Sequence, residues 1–262
     1  MNLQQKNIVL TGATGGIGSE IAKQLDALGS QLILTDRGDE ALQALAAELS
    51  GSHTTLPLDL TRAEDRAVLV EHCTNSGTID AVINSAGVMD FHFVEDMCEA
   101  HLQLIWQVNV MMPMLLIQSL LPLLRANPKE SVIVNVGSTF GSIGFPGFGA
   151  YCSSKFALRG FTETLRRELA DSPIEVCYIA PRATQTKLNS DAITQMNESL
   201  KNAMDPPEKV AKVVIKAMQK KHQNCYIGWP EKLFVKINGL FPKLVDNALK
   251  KQLSTIRHYS KK

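Results

Sequence analysis

Tyr151 and Lys155 stand four residues apart near the start of a helical pattern, AYCSSKFALRGFTETLRREL, which puts both side chains on one helix face. A phenol ordinarily ionises near pH ~10, and a lysine cation held beside it stabilises the phenolate. Such a pair can exchange a proton with a substrate oxygen near neutrality. The spacing alone is common, and a half-buried tyrosine beside a solvated lysine carries the same pattern. A second constellation lies far upstream. Residues 11–18 read TGATGGIG between a short apolar run and a helical pattern, and Asp36 ends the next apolar run eighteen residues after Gly18. Glycines at 12, 16 and 18 let the backbone turn sharply and approach a pyrophosphate, with the N–H groups of a helix N-terminus facing it. Asp36, near the usual spacing of about 20 residues, would accept hydrogen bonds from ribose hydroxyls and repel a 2′-phosphate. That favours NAD over NADP. Arg37 argues the other way, and the next upstream basic residue, Lys23, lies outside the glycine loop.

Elements of two periods must hold these groups. Runs at 6–11, 31–36, 54–58, 79–84, 131–137, 174–180 and 224–228 are continuous and rich in β-branched residues, and helix-length segments separate them. Such alternation predicts an α/β fold: a doubly wound, Rossmann-like parallel sheet of about seven strands in a single domain, with helices on both faces. Thr61 to Glu64 reads as a capping box, and Asp205 before Pro206, Pro207 and Glu208 as the cap and start of another helix. The apolar stretch 110–124, VMMPMLLIQSLLPLL, is shorter than the roughly 18 residues of a membrane span. A buried helix is expected there, with Met111, Met112 and Met114 as core filler. The polar segment 182–204 lacks strong periodicity and should follow a strand's carboxyl end, where it is either a mobile flap over a ligand or a plain surface loop.

Composition narrows the classes. Among 262 residues 45% are apolar and 20% charged, and 27 Lys plus Arg against 26 Asp plus Glu leave a net charge of +1, with no global attraction to nucleic acid. Five cysteines without a Cys-x-x-Cys pair point to a reducing compartment, and Cys152 beside Tyr151 reads as a packed thiol. Six histidines show no metal-ligand spacing, so no metal is expected. The polar start and short first apolar run lack the form of a signal peptide, which favours a cytoplasmic protein.

With these motifs in order, the sequence resembles the single-domain short-chain dehydrogenase/reductases up to about Gly228. The matches are TGATGGIG, Asp59 after the third strand, NSAG at 84–87, Asn109, Ser138 thirteen residues before Tyr151, then Tyr151 and Lys155. The resemblance implies that Ser138 orients the substrate oxygen, that Lys155 tunes Tyr151 and holds the ribose, and that Asn109 holds a proton-relaying water. It implies cofactor contacts from Gly12, Thr14, Gly16, Ile17, Gly18, Asp36 and Arg37, then Asp59 at the adenine with Leu60. Asn84, Ala86 and Gly87 should line the cleft, with Pro181, Thr184 and Thr186 near the nicotinamide. Two departures stand out: NSAG replaces the family's Asn-Asn-Ala-Gly, and Arg182 replaces the glycine of its Pro-Gly pair. Arg182 could set a cation near a pyrophosphate or an acidic substrate, or face solvent. Bland roles stay open for Ser138 as a strand-end cap, Asn109 as a buried amide and Asp59 as a partner of the next helix.

The expected activity is hydride transfer between a nicotinamide dinucleotide and a carbonyl or secondary alcohol, and the alternative is a dinucleotide-binding regulatory or structural protein without turnover. Ile143, Phe145 and Phe148 suggest a hydrophobic substrate. A homo-oligomer is implied by the resemblance, with Ala157, Phe161 and Leu165 as either an interface stripe or a core stripe. Residues 1–228 should form the catalytic unit, including the substrate loop 182–204, and 229–262 an extension. That extension carries eight basic against two acidic residues, and bulky apolar residues from Trp229 to Leu253 recur mostly at three- and four-residue steps, the pattern of an amphipathic helix broken near Pro242. It suits weak peripheral contact with an anionic membrane, or an apolar lid over the pocket or a sister subunit.

Overall fold

The protein's structure, a computed structural model, describes residues 1–260; Lys261 and Lys262, counted above in the basic extension, lie outside the described residues. Seven parallel strands form one sheet: β1 (Asn7–Thr11), β2 (Gln31–Asp36), β3 (Thr54–Pro57), β4 (Ala81–Asn84), β5 (Ser131–Val136), β6 (Ile174–Ala180) and β7 (Asn224–Tyr226). Their order is β3-β2-β1-β4-β5-β6-β7. The chain therefore winds outward in one direction from β1 and in the other from β4. The crevice at the carboxyl ends of β1 and β4, where Thr11 pairs with Asn84, is the reversal point at which such sheets bind ligands.

Period-two alternation sorts the two faces. Ile8, Leu10, Leu32, Leu34, Ile83 and Val134 point to a core closed by α1 (Gly16–Ala27), α2 (Asp39–Glu48) and α8 (Pro207–Lys220). Val9, Ile33, Val82, Ile133 and Val176 point to the opposite core, under α3 (Ala63–Asn75), α5 (Met112–Ala126) and α6 (Gly149–Glu168). Each such side chain contributes roughly 1.5–3 kcal/mol on burial, so a one-residue slip of any central strand would forfeit several contributions at once. Leu165 is buried in the second core and Phe161, partly buried, packs against it, while Ala157 is half-buried outside that cluster.

Several local expectations are corrected. Thr61 does not cap α3: its hydroxyl and N–H go to Asp59 Oδ1, Glu64 pairs with Arg62, and Asp65 accepts the Asp59 N–H. Asp205 does not cap α8, whose N-cap is Pro206, because its carboxylate is taken by Arg182 and Lys209. The apolar stretch belongs to a longer unit. α4 (Glu99–Trp106), a π-helical turn (Gln107–Met111) and α5 run continuously for 28 residues, long and apolar enough to cross a membrane by length and composition. Leu116, Ile117, Leu120 and Leu124 nevertheless pack fully into the sheet's core, as a buried helix requires. Met112 is core, but Met111 and Met114 are 44% and 37% exposed, since they turn to the helix's outer side. Segment 182–204 contains a helix, α7 (Asp191–Ser199), capped by Ser190 Oγ accepting the Ile193 N–H. Ile193 and Met196 form its short apolar stripe, and both are buried.

The extension forms α9 (Glu231–Leu240) and α10 (Pro242–Ser260), broken before Pro242 as expected. α10 lies on α7, and Ile256 and Leu253 join an aromatic cluster with Phe91, Phe93, Phe148 and Tyr151.

Candidate active site

The site sits on the carboxyl edge of β1, β4, β5 and β6. After β1, Gly12 turns with φ +63°, and a Cβ there would meet the Ala86 backbone at 2.6 Å. At Gly18 a Cβ would lie 2.0 Å from the Gly12 carbonyl oxygen, and at Gly16 it would lie 2.7 Å from Thr186 Cγ2. Only hydrogen fits at these three positions. The N-cap of α1 is Gly15, which has no side chain to satisfy the first-turn N–H groups, so they remain available to an anion.

This loop borders a cleft of about 370 Å³ lined by Gly12, Thr14, Gly16, Ile17 and Gly18, by Asp36, Arg37, Asp59 and Leu60, and by Ala86, Gly87 and Thr186. Thr14 donates its N–H (3.1 Å) and hydroxyl (2.6 Å) to Asp36 Oδ2, and the Arg37 N–H donates to Oδ1 at 2.8 Å. Asp36 is thereby fixed at the cleft rim. Thr61 and the nearby Arg37 cation hold the Asp59 carboxyl below its ordinary range despite partial burial. Asn84 is the exception to the expected lining. It is buried behind the cleft and donates to Asn135 Oδ1 at 2.9 Å; Asn135 in turn donates to Thr162 Oγ1 at 2.9 Å. Its register with Asn135 on β5 turns the amide into the sheet, where it ties β4 to β5 and α6.

A second cavity adjoins the cleft, and Ile17, Ser85, Gly87, Thr186 and Leu188 line both. Ser138, Tyr151 and Lys155 meet there, together with Pro181 and Thr184. Ser138 follows β5 in extended conformation, and its Oγ accepts the Phe140 N–H at 3.1 Å, capping the short 3-10 turn Thr139–Gly141. Tyr151 and Lys155 share the buried face of α6, as their spacing predicts. Lys155 Nζ donates to the Val136 carbonyl at 3.2 Å and stands 5.6 Å from the Tyr151 ring centroid.

Burial pushes the Tyr151 phenol up to about 12, with a hydrogen bond from Ser138 opposing the rise. Burial also pulls Lys155 down to about 8. In this arrangement burial is the leading influence on both groups, and the Lys155 ammonium donates to the Val136 carbonyl. Tyr151 is held protonated, as a proton donor must be.

Asn109 lies in the π-helical turn. Its Oδ1 accepts the Val88 N–H (2.9 Å), and its Nδ2 donates to the Val88 carbonyl (2.9 Å) and to Ser154 Oγ (3.0 Å). It straps the segment after NSAG to α6 one residue before Lys155. Arg182 does not face solvent. Its side chain is 13% exposed and forks onto Asp205 (2.9 and 3.0 Å) and Glu231 (3.2 Å), closing the base of 182–205 and pinning α9. Two carboxylates balance that charge locally. Of the expected apolar pocket residues, Phe148 lines the cavity, Phe145 stacks behind Phe140 at 5.1 Å, and Ile143 is half-buried outside it.

Tyr178 carries weight that the sequence reading missed. It is fully buried beneath Ser138, and a Cβ on Gly137 or Gly141 would overlap its ring or hydroxyl at 2.1–2.2 Å. The signal was present: two glycines flank the serine loop, and one large aromatic stands in the neighbouring strand.

The family model for the short chain dehydrogenases matches residues 6–197. The chain is 30% identical to dehydrogenase/reductase SDR family member 7B of Xenopus laevis, over 92% of this chain and 80% of that protein. It is 28% identical to an uncharacterized oxidoreductase of Bacillus subtilis, over 98% of this chain and 74% of that one. Among solved structures, a short chain dehydrogenase/reductase from Burkholderia phymatum in complex with NAD superposes with a TM-score of 0.85 at 20% identity, covering 93% of this chain and 96% of that one. A short-chain dehydrogenase from Streptomyces avermitilis gives 0.81 at 26% identity, covering 97% and 99%.

Proposed function

Because the chain belongs to the short-chain dehydrogenase/reductase family of oxidoreductases, we propose that it moves hydride between a nicotinamide dinucleotide and a carbonyl or secondary alcohol carbon. The observation that carries this reading is the meeting of Ser138, Tyr151 and Lys155 in one cavity that adjoins the glycine-loop cleft and shares its wall.

The residues present fit a dinucleotide. Side-chain-free positions at Gly12, Gly16 and Gly18 and the uncapped N-terminus of α1 suit a pyrophosphate, and Thr35 Oγ1, buried in the cleft wall, has no hydrogen-bond partner among the described residues. Asp36 supports NAD over NADP, since a 2′-phosphate would meet a fixed carboxylate. When bound, the nicotinamide supplies or accepts the hydride. Ser138 Oγ orients the substrate oxygen, and Tyr151, kept protonated by burial, donates its proton as a carbonyl becomes an alcohol and takes it back in the reverse direction. Lys155 supplies positive charge beside the phenol and holds the ribose. Asn109 fixes the Val88 backbone and, through Ser154, the helix that carries Tyr151 and Lys155, and serves the water relay from this position.

A lipophilic substrate is supported by the cavity wall of Met89, Phe140, Phe148, Ile193 and Met196. Self-association is supported on the outer side of α4 and α5, where Leu104, Trp106, Met111 and Met114 are exposed on a stretch without a charged residue from 102 to 124. All five cysteines are free thiols, which supports a reducing, cytoplasmic setting.

The test is a turnover assay with NADH and NADPH separately, against ketones and secondary alcohols graded in apolar surface. NADH-dependent turnover with KM falling as apolar surface grows is expected. Tight NADH binding with no turnover across the panel would overturn the reading.

A further inference from the structure

Residues 229–244 gather an unusual share of the molecule's exposed apolar surface. Trp229 is 70% exposed, Leu240 74%, Phe241 62% and Leu244 60%, with Leu233 and Phe234 just over 40%. They lie on the outer side of α9 and at its corner with α10. Soluble surfaces rarely leave so many large side chains contiguous in water, and such a patch marks a binding face.

The inner side of the same helices is committed. Glu231 is held by Arg182, and Asn238 Nδ2 donates to the Ser142 carbonyl at 2.9 Å. Val245 and Ile256 are buried, and Arg257 bonds to Glu95 while stacking on Phe93 at 4.2 Å. The corner is thus anchored to the rim of the substrate cavity with its apolar side outward.

Charge decides what covers it. Lys232, Lys236 and Lys243 are exposed around the patch, Lys250 and Lys251 continue along α10, and none of the five is ion-paired among the described residues. Glu231 is neutralised by Arg182, which leaves Asp246 as the remaining acid of α9 and α10. A second copy of this face would bring like charges together. An anionic lipid surface would neutralise them while taking up the apolar corner, with Trp229 at the headgroup boundary where tryptophan is favoured.

We propose that the α9–α10 corner docks on an anionic bilayer, with Phe234, Leu240, Phe241 and Leu244 entering the interface and the lysines meeting the headgroups. Docking there holds the rim of the cavity against the membrane, where a lipophilic substrate would enter. That last consequence rests on the proposed substrate class, whereas docking itself does not.

The experiment uses the full chain with vesicles of phosphatidylcholine alone or in an equal mixture with phosphatidylglycerol, at low and high salt. Co-sedimentation is read together with Trp229 emission in a Trp106→Phe background. The expected result is binding to the anionic vesicles with a blue shift of Trp229, weakened roughly tenfold or more by Lys232→Glu/Lys236→Glu/Lys243→Glu or by high salt. Leu240→Ser/Phe241→Ser should abolish the blue shift. All five apolar and basic test positions are exposed, and unchanged melting shows that each variant is folded. No binding by the wild type, or equal binding by wild type and both variants, would overturn the proposal. So would a drop in the soluble protein's oligomeric mass in Leu240→Ser/Phe241→Ser, which would make the corner a subunit contact. None of these readouts needs turnover, so the outcome is separate from that of the hydride-transfer reading.

Discussion

The hydroxyl of Tyr178 fixes both backbone polar groups of Ser138: it accepts the Ser138 N–H at 3.3 Å and donates to the Ser138 carbonyl at 3.1 Å. The same oxygen lies 3.5 Å from the Lys155 carbonyl. One buried phenol in β6 thereby joins the residue at the end of β5 to the helix that carries Tyr151 and Lys155. Tyr178→Phe should lower kcat about tenfold with little change in KM, because the serine loses its support while the cavity wall keeps its shape. It should also cost about 1–3 kcal/mol of stability, since the buried Ser138 N–H loses its partner while the Ser138 carbonyl keeps the Gly141 N–H. Kinetics and denaturant melts on one preparation check both. A stability loss with unchanged kcat would reduce Tyr178 to a structural role.

The glycines around that phenol give a second expectation. Gly137→Ala places a methyl 2.1 Å from Tyr178 Cζ, an overlap that requires backbone or ring displacement. A destabilisation of about 2 kcal/mol or more is expected, with most of it recovered in Gly137→Ala/Tyr178→Val. Equal losses in the single and double variants would show that the ring is not the obstacle.

How much of this was legible in the sequence depended on how local the signal was. The strand runs and the glycine loop specify themselves within a few residues, so the doubly wound parallel sheet and the glycine-loop cleft follow from β-α alternation, whereas the strand order came from the structure. Tyr151 and Lys155 were equally plain, being one helical turn apart. Arg182 was not, because its partners Asp205 and Glu231 lie 23 and 49 residues away, and sequence spacing cannot bring them together. The same holds for Tyr178 with Ser138, forty residues apart. α7 was hidden because two apolar residues, Ile193 and Met196, are too few to give a periodic signal in a polar segment. The burial of Tyr151 and Lys155 was not legible either, because spacing reports which groups are neighbours and not how deeply they are desolvated.

Asp36→Ala should shift cofactor preference from NADH toward NADPH. It removes a carboxylate that Thr14 holds at the cleft rim and leaves the adjacent Arg37 as the charge that a phosphate would meet. The ratio of kcat/KM for the two cofactors is the measurement, and a change of about tenfold or more is expected. A wild-type preference for NADPH would contradict the reading of Asp36.

Lys155 predicts a pH dependence of stability. Burial lowers it from an ordinary 10.5 to about 8, so between those values the unfolded chain binds a proton that the folded chain does not. Stability contributed at this site therefore rises as pH climbs from about 8 to 10.5, and the charging cost is fully present below 8. Lys155→Met lacks this titration. Its melting temperature relative to wild type should be highest near pH 7 and should decline by pH 10. A parallel pair of pH curves would contradict the assignment.

The central claim is that Tyr151 moves the proton, and Tyr151→Phe tests it most directly. The substitution removes one buried oxygen and keeps the ring that packs against Phe140. Dinucleotide affinity and kcat should be measured on the same purified variant, using the best substrate found for the wild type. The account predicts an NADH dissociation constant within about threefold of wild type and kcat reduced by about 10²–10⁴-fold, the range expected when a positioned acid-base group is lost. Turnover within tenfold of wild type, with the cofactor still bound, would contradict it.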